Sequence, residues 1–299
     1  MSEYDKKILN WLNKHGYPLE FSVANTFSRH GFAIHQGYYY HDAASDNHRE
    51  IDVVAFLTLH FSDRKFVRVG SVIECKYTVD KPWVVFSSPN MHIHPSSRIA
   101  QTLGSDSGEA ILWAIAGDKK LQSLSLFSTK QMYGFSGVQA LSEGKDLFYS
   151  ALQSVTSATA SIASRFNTKH LDQALDFAAI YFPLVVIKGD LYIAYYNNSN
   201  STIELRQSGH ARIYWRGSSA SKFPITSIDI VTSAYLDEYV KQLKHDFTVL
   251  IGKLHSGLRS LNHAFDSNSL ADFHISKAPR GIMSVPWVIR AIVSSADHS

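Results

Sequence analysis

The stretches REIDVVA (residues 49–55) and VIECKY (residues 72–77) place acidic and basic side chains inside two strand-like patterns. Side chains two positions apart in a strand point to the same face of a sheet. Glu74 and Lys76 are therefore predicted to project together, whereas Cys75 points to the opposite face. The same acid-x-lysine spacing recurs in polar or turn-like segments at Asp5/Lys7, Asp63/Lys65, Asp118/Lys120 and Glu143/Lys145. The strand context, rather than the spacing, makes the second stretch informative.

The two-residue period also orders the side chains of the first stretch. It places Glu50 and Asp52 on one face. The opposite face is predicted to be apolar and to consist of Ile51, Val53, Ala55, Leu57 and Leu59. If the two stretches pair, the Asp52 and Glu74 carboxylates approach each other and repel unless a proton or a cation lies between them. Magnesium fits such a pair, because one or two carboxylates usually bind it together with waters and phosphate oxygens.

Lys76 adds an ammonium group beside this pair. An ammonium next to a metal-bound water can orient the water, assist its deprotonation and offset charge that develops on a phosphate. The alternative is an ordinary cross-strand salt bridge among Asp52, Glu74 and Lys76 on a solvated face of the sheet. The spacing alone leaves both interpretations open.

The order of these elements resembles the PD-(D/E)xK nuclease superfamily, which has the restriction-endonuclease-like fold. The similarity begins with YPLE (residues 17–20) in a predicted helix, passes through IDVVA (residues 51–55) and ends at IECK (residues 73–76). Ile51 stands where the family motif has proline, a variation that the superfamily tolerates. No polar motif can be assigned to the helix that follows Lys76, so the ordered context of the first elements carries the resemblance.

The resemblance implies a magnesium-dependent nuclease that hydrolyses phosphodiester bonds, with Mn²⁺ as a substitute metal. Asp52 and Glu74 would bind the metal, and Lys76 would assist the attacking water. DNA is favoured over RNA because the superfamily acts mostly on DNA, and restriction or phage defence is the expected setting. Two alternatives stay open, namely a catalytically silent module of this fold that binds nucleic acid or assembles with other proteins, and a metal-dependent RNase.

Auxiliary roles follow for three further residues. Glu20 would be an additional catalytic acid on the preceding helix, although an acid in the first turn also stabilises a helix dipole. Glu50 would be an auxiliary metal ligand, and the backbone carbonyl of Cys75 would be a further ligand. The Cys75 thiol is predicted to be a small core group rather than a catalytic nucleophile.

The composition fits an intracellular enzyme. With 299 residues, of which 45% are hydrophobic, the chain can bury a substantial core. Its apolar runs are too short to span a membrane and no signal-type segment follows the N-terminus, so we expect a cytoplasmic protein without a membrane role. Cutting both DNA strands often requires two active sites, which makes a homodimer plausible, and partner proteins could supply specificity or activation.

The net charge of +3 argues against a surface that is basic throughout, but it leaves room for a basic groove. One candidate set, expected near the acidic pair, consists of Arg49, Arg64, Lys65 and Arg68. A second set, on a later strand-rich stretch, consists of Arg206, Arg212, Arg216 and Lys222. Either set could contact phosphates, although a solvated surface is the commoner role of any single one of these side chains.

The pattern as a whole predicts an α/β fold with a central mixed sheet flanked by helices. Residues 1–200 are assigned to a nuclease-like core with an insertion near 80–137, and residues 201–299 to a C-terminal strand-and-helix extension that packs on this core. Residues 183–194 are predicted to form two strands joined at 188–190. An amphipathic helix is predicted over 234–255, followed by an irregular C-terminus.

Overall fold

The computed structural model describes most of the chain. The described residues are 1–43, 45–62, 64–78, 80–88, 92–128, 133–142, 146–216, 226–271, 273–281 and 283–296. Lys222, and the residues Asp63, Glu143 and Lys145 of the acid-x-lysine matches, lie outside them.

The strands of the described residues form one mixed sheet of ten strands in the order β1-β2-β3-β6-β10-β9-β5-β4-β7-β8. In chain order they are β1 (Ala33–Asp42), β2 (Asn47–His60), β3 (Phe66–Tyr77), β4 (Trp83–Ser87), β5 (Tyr133–Gln139), β6 (Phe177–Lys188), β7 (Leu191–Asn197), β8 (Thr202–Gln207), β9 (His210–Trp215) and β10 (Thr226–Thr232). The predicted α/β class and its mixed sheet are confirmed. The strand-like stretches at 49–55 and 72–77 lie within β2 and β3.

The helices of the described residues lie on both faces of this sheet. They are α1 (Glu3–Lys14), α2 (Tyr17–Arg29), α3 (Pro95–Ala100), α4 (Asp106–Ala114), α5 (Lys119–Ser123), α6 (Leu147–Ser164), α7 (Leu171–Ala174), α8 (Leu236–Asp266) and α9 (Trp287–Ala296). None of the described helices is both long enough and apolar enough to cross a membrane.

Two apolar cores cover the two faces. The first lies between the sheet and α2, α4, α8 and α9, and includes Val23, Phe27 and Leu250. The second lies between the sheet and α6, and includes Val155 and Ile162. Small residues on α6, such as Ala158 and Thr159, are fully buried, so this helix packs closely against the strands. We call these cores the α8 side and the α6 side.

The first three strands of the chain are neighbours in the sheet. β1, β2 and β3 pair antiparallel in chain order. β6 then pairs parallel to β3 on one edge and parallel to β10 on the other. The long helix α6 precedes β6, so the chain crosses the α6 side of the sheet before it returns beside β3.

The two strands predicted within 183–194 are present as the end of β6 and the start of β7 and join at 188–190, but they do not form a hairpin. β6 and β7 do not pair with each other, because β6 lies between β3 and β10 while β7 lies between β4 and β8. The Thr78 amide donates to the Lys188 carbonyl, and the Trp83 amide donates to the Asp190 carbonyl, both at 2.9 Å. The chain therefore bends alongside the β3 to β4 connection, and parallel pairing resumes between β4 and β7.

The C-terminal region contains more helix than the sequence predicted. The apolar stripe of α8 continues beyond residue 255 through the buried Leu258, Leu261 and Ala264. Helix α9 is buried through Val288 and Ile292, so an entirely irregular C-terminus is wrong. β9 and β10, which follow residue 200, lie within the common sheet. The division at residue 200 stays a prediction.

Candidate active site

The pairing of β2 with β3 ends beside the predicted acids. The last paired residues are Val53 and Ile73, and the next positions along the two strands are Asp52 and Glu74. There the Cys75 amide donates a hydrogen bond of 2.6 Å to Oδ2 of Asp52. The Asp52 carboxylate thus contacts the backbone of the residue that lies between Glu74 and Lys76.

The side-chain alternation of β2 reverses at Asp52, which corrects the single apolar face predicted for residues 51–59. Ile51 packs in the α6-side core, whereas Val53 packs in the α8-side core. In β1, Gln36 pairs with Val53 and Tyr38 with Ile51, so Gly37 lies opposite Asp52. Gly37 has a φ of 60°, a left-handed conformation that glycine adopts without strain. This irregularity turns Asp52 out of the regular strand pattern.

Glu74 and Lys76 project to the same face, as predicted. Nζ of Lys76 donates to Oε1 of Glu74, and the Ser154 hydroxyl of α6 donates to Oε2 at 3.2 Å. Glu74 is only 6% exposed, so these donors satisfy a buried carboxylate. Cys75 packs against the α8-side core, as expected for a strand neighbour.

Ser154 is a site residue that sequence reasoning missed. It belongs to the stripe of small residues on α6 and is buried. A serine in such a stripe is normally interpreted as a packing residue. The sequence gives no signal that this particular hydroxyl faces Glu74.

Burial and neighbouring charge shift the protonation of Asp52. Burial, followed by the negative charge of Glu74, raises the pKa of Asp52 to about 7, although the hydrogen bond from Cys75 acts in the opposite direction. A carboxyl group with this pKa is half protonated near neutral pH. Two nearby carboxylates behave in this way when no cation neutralises them.

Lys76 and Glu20 belong to the same electrostatic neighbourhood. Burial acts to lower the pKa of Lys76, but the Glu74 carboxylate outweighs it and raises this pKa above its ordinary value. The lysine is therefore an ammonium group at neutral pH. Burial, followed by the charges of Glu50 and Glu74, raises the pKa of Glu20. Glu50 is exposed, and its Oε1 lies 3.0 Å from where a Cβ on Gly37 would be.

The donor set suits a cation that takes most of its ligands from solvent and substrate. Among the described residues, no group of three or more His, Cys, Asp or Glu side chains is arranged to hold a metal ion. Asp52 and Glu74 provide carboxylate oxygens and Lys76 an ammonium. Magnesium often keeps several waters and binds through one or two carboxylates and phosphate oxygens, so the residues present fit this ion. The Cys75 carbonyl as a ligand stays a prediction.

Two of the predicted basic residues lie away from the site. Arg68 precedes Glu74 by six positions in β3, which corresponds to about 20 Å of extended strand. Its guanidinium lies over the Phe56 ring at 4.2 Å from the centroid. Arg212 is buried in an ion pair with Asp229. Arg68 is thus distant from the acids, and Arg212 is held in the interior by its ion pair with Asp229.

Lys188 is a second residue that sequence reasoning missed. It is exposed at the end of β6, directly opposite Tyr77 in the ladder with β3. Its Nζ lies 5.5 Å from the centroid of the Tyr77 ring. The sequence pattern assigned this lysine to the junction of two strands, and parallel pairing places it opposite Tyr77, the residue that follows Lys76. It is the kind of residue that can contact a phosphate near the site.

The fold and the site together define an α/β protein with a ten-stranded mixed sheet and a cluster of acids and a lysine at the end of its β2–β3 pairing. No protein-family model, curated protein or solved structure matches the chain.

Proposed function

We propose that this protein is a metal-dependent nuclease of the PD-(D/E)xK type, with a restriction-endonuclease-like core, that hydrolyses phosphodiester bonds. The hydrogen bond between the Cys75 amide and the Asp52 carboxylate carries the proposal, because it joins the first acid to the Glu74-Cys75-Lys76 segment. A metal site with two carboxylates requires that Asp52 and Glu74 lie close together. Strand order and periodicity predicted that they would.

The arrangement of the elements supports the same proposal. Helix α2 with Glu20 precedes three antiparallel strands, of which β2 carries Asp52 and β3 carries Glu74 and Lys76. The long helix α6 and the parallel strand β6 then follow. The first part of this order agrees with the resemblance, which runs from a helix with Glu20 to a strand with Asp52 and a strand with Glu74 and Lys76.

Each side chain has a role in the proposed reaction. A bound Mg²⁺ would supply Lewis-acid activation of the phosphodiester and of the attacking water. Asp52 and Glu74 would hold the ion. The positive charge of the ion would favour the ionised carboxylate of Asp52 over the half-protonated form. The Lys76 ammonium would orient the water and stabilise negative charge that develops on the phosphate. Ser154 would hold the Glu74 carboxylate in position, and Glu20 would add negative charge beside the site.

One observation favours a catalytically silent module instead. Both carboxylate oxygens of Glu74 already accept a hydrogen bond, one from Lys76 and one from Ser154. An acid held in this way could serve as a buried structural ion pair. Binding of nucleic acid without cleavage, and without a divalent cation, would support this alternative.

The test is cleavage of plasmid DNA in the presence of Mg²⁺ by the purified protein and matched variants. Asp52→Asn and Lys76→Ala are each expected to lower the rate at least ~100-fold, the usual effect of removing one charge-stabilising group. Lys120→Ala is the control, because Lys120 is exposed and has the same spacing from an acid. Equal cleavage by all four proteins would overturn the proposed site.

The substrate and the setting are tested separately. The proposal favours double-stranded DNA, so we expect cleavage of plasmid to exceed cleavage of an RNA of the same sequence. Faster cleavage of RNA would identify a metal-dependent RNase with the same site residues. Restriction or phage defence is the proposed setting, and protection of cells from phage infection that is lost with Asp52→Asn would support it.

A further inference from the structure

A cavity lies on the α8 side of the sheet, among β6, β9, β10 and α3. Its lining includes Arg98, Leu126, Phe182, Arg212 and Ser227, and none of the described residues of the candidate active site. Its volume is about 40 Å³. Because about 10–15 Å³ suffices for one water, the cavity has room for about three such groups, which is the size of a small carboxylate rather than of an aromatic ring.

Arg98 brings an incompletely paired guanidinium to the wall of this cavity. The residue is 6% exposed, and its Nη1 donates to the Leu126 carbonyl at 3.4 Å. Within the part of the chain that the structure describes, its Nε and Nη2 have no hydrogen-bond partner. Buried charged groups that lack partners are costly, so they are normally paired.

The nearby acids do not neutralise the positive charge of Arg98 by an ion pair. Asp229 accepts hydrogen bonds from Nη2 of Arg212 at 2.8 Å and from the Tyr239 hydroxyl at 2.7 Å, and its other oxygen faces His210 and Nε of Arg212. Burial, followed by the positive charge of Arg212, lowers the pKa of Arg98. Two guanidinium groups therefore share one cavity wall, and the carboxylate in that wall is committed to Arg212.

Asp246 of α8 is the other buried acid in this region, and it is also committed. Its Oδ2 accepts hydrogen bonds from the Ser125 hydroxyl and from the Leu126 amide at 3.0 Å. Its Oδ1 accepts one from Gln242 at 3.1 Å. Asp246 does not belong to the cavity lining. Its carboxylate binds Ser125 and Leu126 rather than Arg98.

The geometry points to a binding site for a small organic oxyanion, with Arg98 as its principal contact. Nε and Nη2 are the two donors on one edge of a guanidinium, and such an edge matches two oxygens of a carboxylate or phosphate group. The buried Ser227 hydroxyl, which has no partner among the described residues, adds a donor in the same wall.

The remaining lining favours an apolar body on that ligand. Ile93, Leu103, Phe127 and Phe182 contribute apolar surface to the cavity. Sites for small molecules commonly combine an apolar lining with a few polar groups that fix orientation. A short hydrocarbon that carries one carboxylate group, such as acetate, meets both requirements, whereas a bare inorganic ion leaves the apolar lining without a contact.

Calorimetric titration of the full chain with acetate, inorganic phosphate and acetamide tests this site. Acetate is expected to bind saturably, and more tightly than inorganic phosphate. Acetamide, which has the shape of acetate without its charge, is expected to bind at least ~10-fold more weakly than acetate, because a charged hydrogen-bonded pair is lost. Tighter binding of inorganic phosphate would assign the site to the bare anion and overturn the apolar body.

Variants then test the role of Arg98. Arg98→Gln is expected to weaken binding of acetate at least ~10-fold, whereas Arg259→Gln, at an exposed arginine of α8, leaves it unchanged. If Arg98→Gln does not fold, Arg98→Lys carries the comparison, because it keeps the charge and lacks the two-donor edge. Absence of saturable binding to the unmodified chain, or equal affinity in the Arg98 variant that folds, would overturn the proposal.

Discussion

The Asp52 carboxylate accepts a hydrogen bond of 2.6 Å from the backbone amide of Cys75. This contact occurs where the pairing of β2 and β3 ends, so a side chain takes the place of a backbone partner. It also brings a buried acid beside Glu74, whose charge contributes to the raised pKa of Asp52. The stability, metal binding and activity of the protein should therefore all depend on Asp52.

The metal-free protein should lose stability as the pH rises. The pKa of Asp52 is about 7 in the folded protein and near 3.8 in the unfolded chain. Between these values the folded state binds more protons, so the free energy of unfolding decreases with rising pH. Thermal unfolding in EDTA at several pH values from about 5 to about 8 should show a falling Tm, and Asp52→Asn should remove most of this decrease. Parallel curves for the two proteins would contradict the shifted pKa.

Ser154→Ala should lower both stability and activity by a moderate amount. The buried Glu74 carboxylate loses one hydrogen-bond donor, which typically costs about 1–3 kcal/mol. Because Ser154 positions Glu74 without contacting substrate, the cleavage rate should fall less than with Asp52→Asn. Chemical denaturation and plasmid cleavage measure the two effects. Ser164→Ala, at an exposed serine of the same helix, is the control and should change neither.

Two glycine substitutions should have opposite effects on stability. Gly37→Ala should destabilise the protein by about 1 kcal/mol or more, because Gly37 has a φ of 60° and a Cβ would lie 3.0 Å from Glu50. Gly252→Ala should stabilise it by about 0.5–1 kcal/mol, because Gly252 lies within α8 and a Cβ would meet open space. Urea denaturation measures both changes. A stable Gly37→Ala variant would mean that the reversal at Asp52 does not need glycine.

Lys188→Ala should weaken binding of substrate more than it slows the chemical step. Lys188 is exposed beside Tyr77, so it is placed to contact a phosphate adjacent to the site. Loss of one phosphate contact should reduce the slope of log affinity against log salt concentration by about 0.9 for duplex DNA. Salt-dependent binding to a DNA duplex in EDTA measures this slope. An unchanged slope, as expected for Lys120→Ala, would remove Lys188 from the binding surface.

Local patterns predicted the first strands and the common direction of Glu74 and Lys76. Both depend on the two-residue period of a strand, which neighbouring residues determine. The same period failed for Ile51, because the alternation of β2 reverses at Asp52. That reversal involves Gly37 in the partner strand and the Cys75 amide of β3, which are distant in sequence. The two-residue period of a single strand cannot predict contacts with these distant residues.

Non-local pairing explains the other errors. The segment around Lys188 joins two strands as predicted, but β3 and β4 provide separate partners for β6 and β7, so these two strands form no hairpin. The role of Ser154 also depends on which turn of α6 faces Glu74, and this is determined by packing across the sheet. The sequence thus predicted the acids and the lysine, whereas the residues that position them required the tertiary structure.

Titration of the protein with Mn²⁺ by calorimetry tests the central claim most directly. We expect saturable binding at neutral pH, with release of a fraction of a proton because Asp52 is half protonated before the metal binds. Asp52→Asn and Glu74→Gln should each weaken binding at least ~10-fold, whereas Glu238→Gln, at an exposed acid of α8, should leave it unchanged. Absence of binding, or equal affinity in all four proteins, would contradict a metal site formed by Asp52 and Glu74.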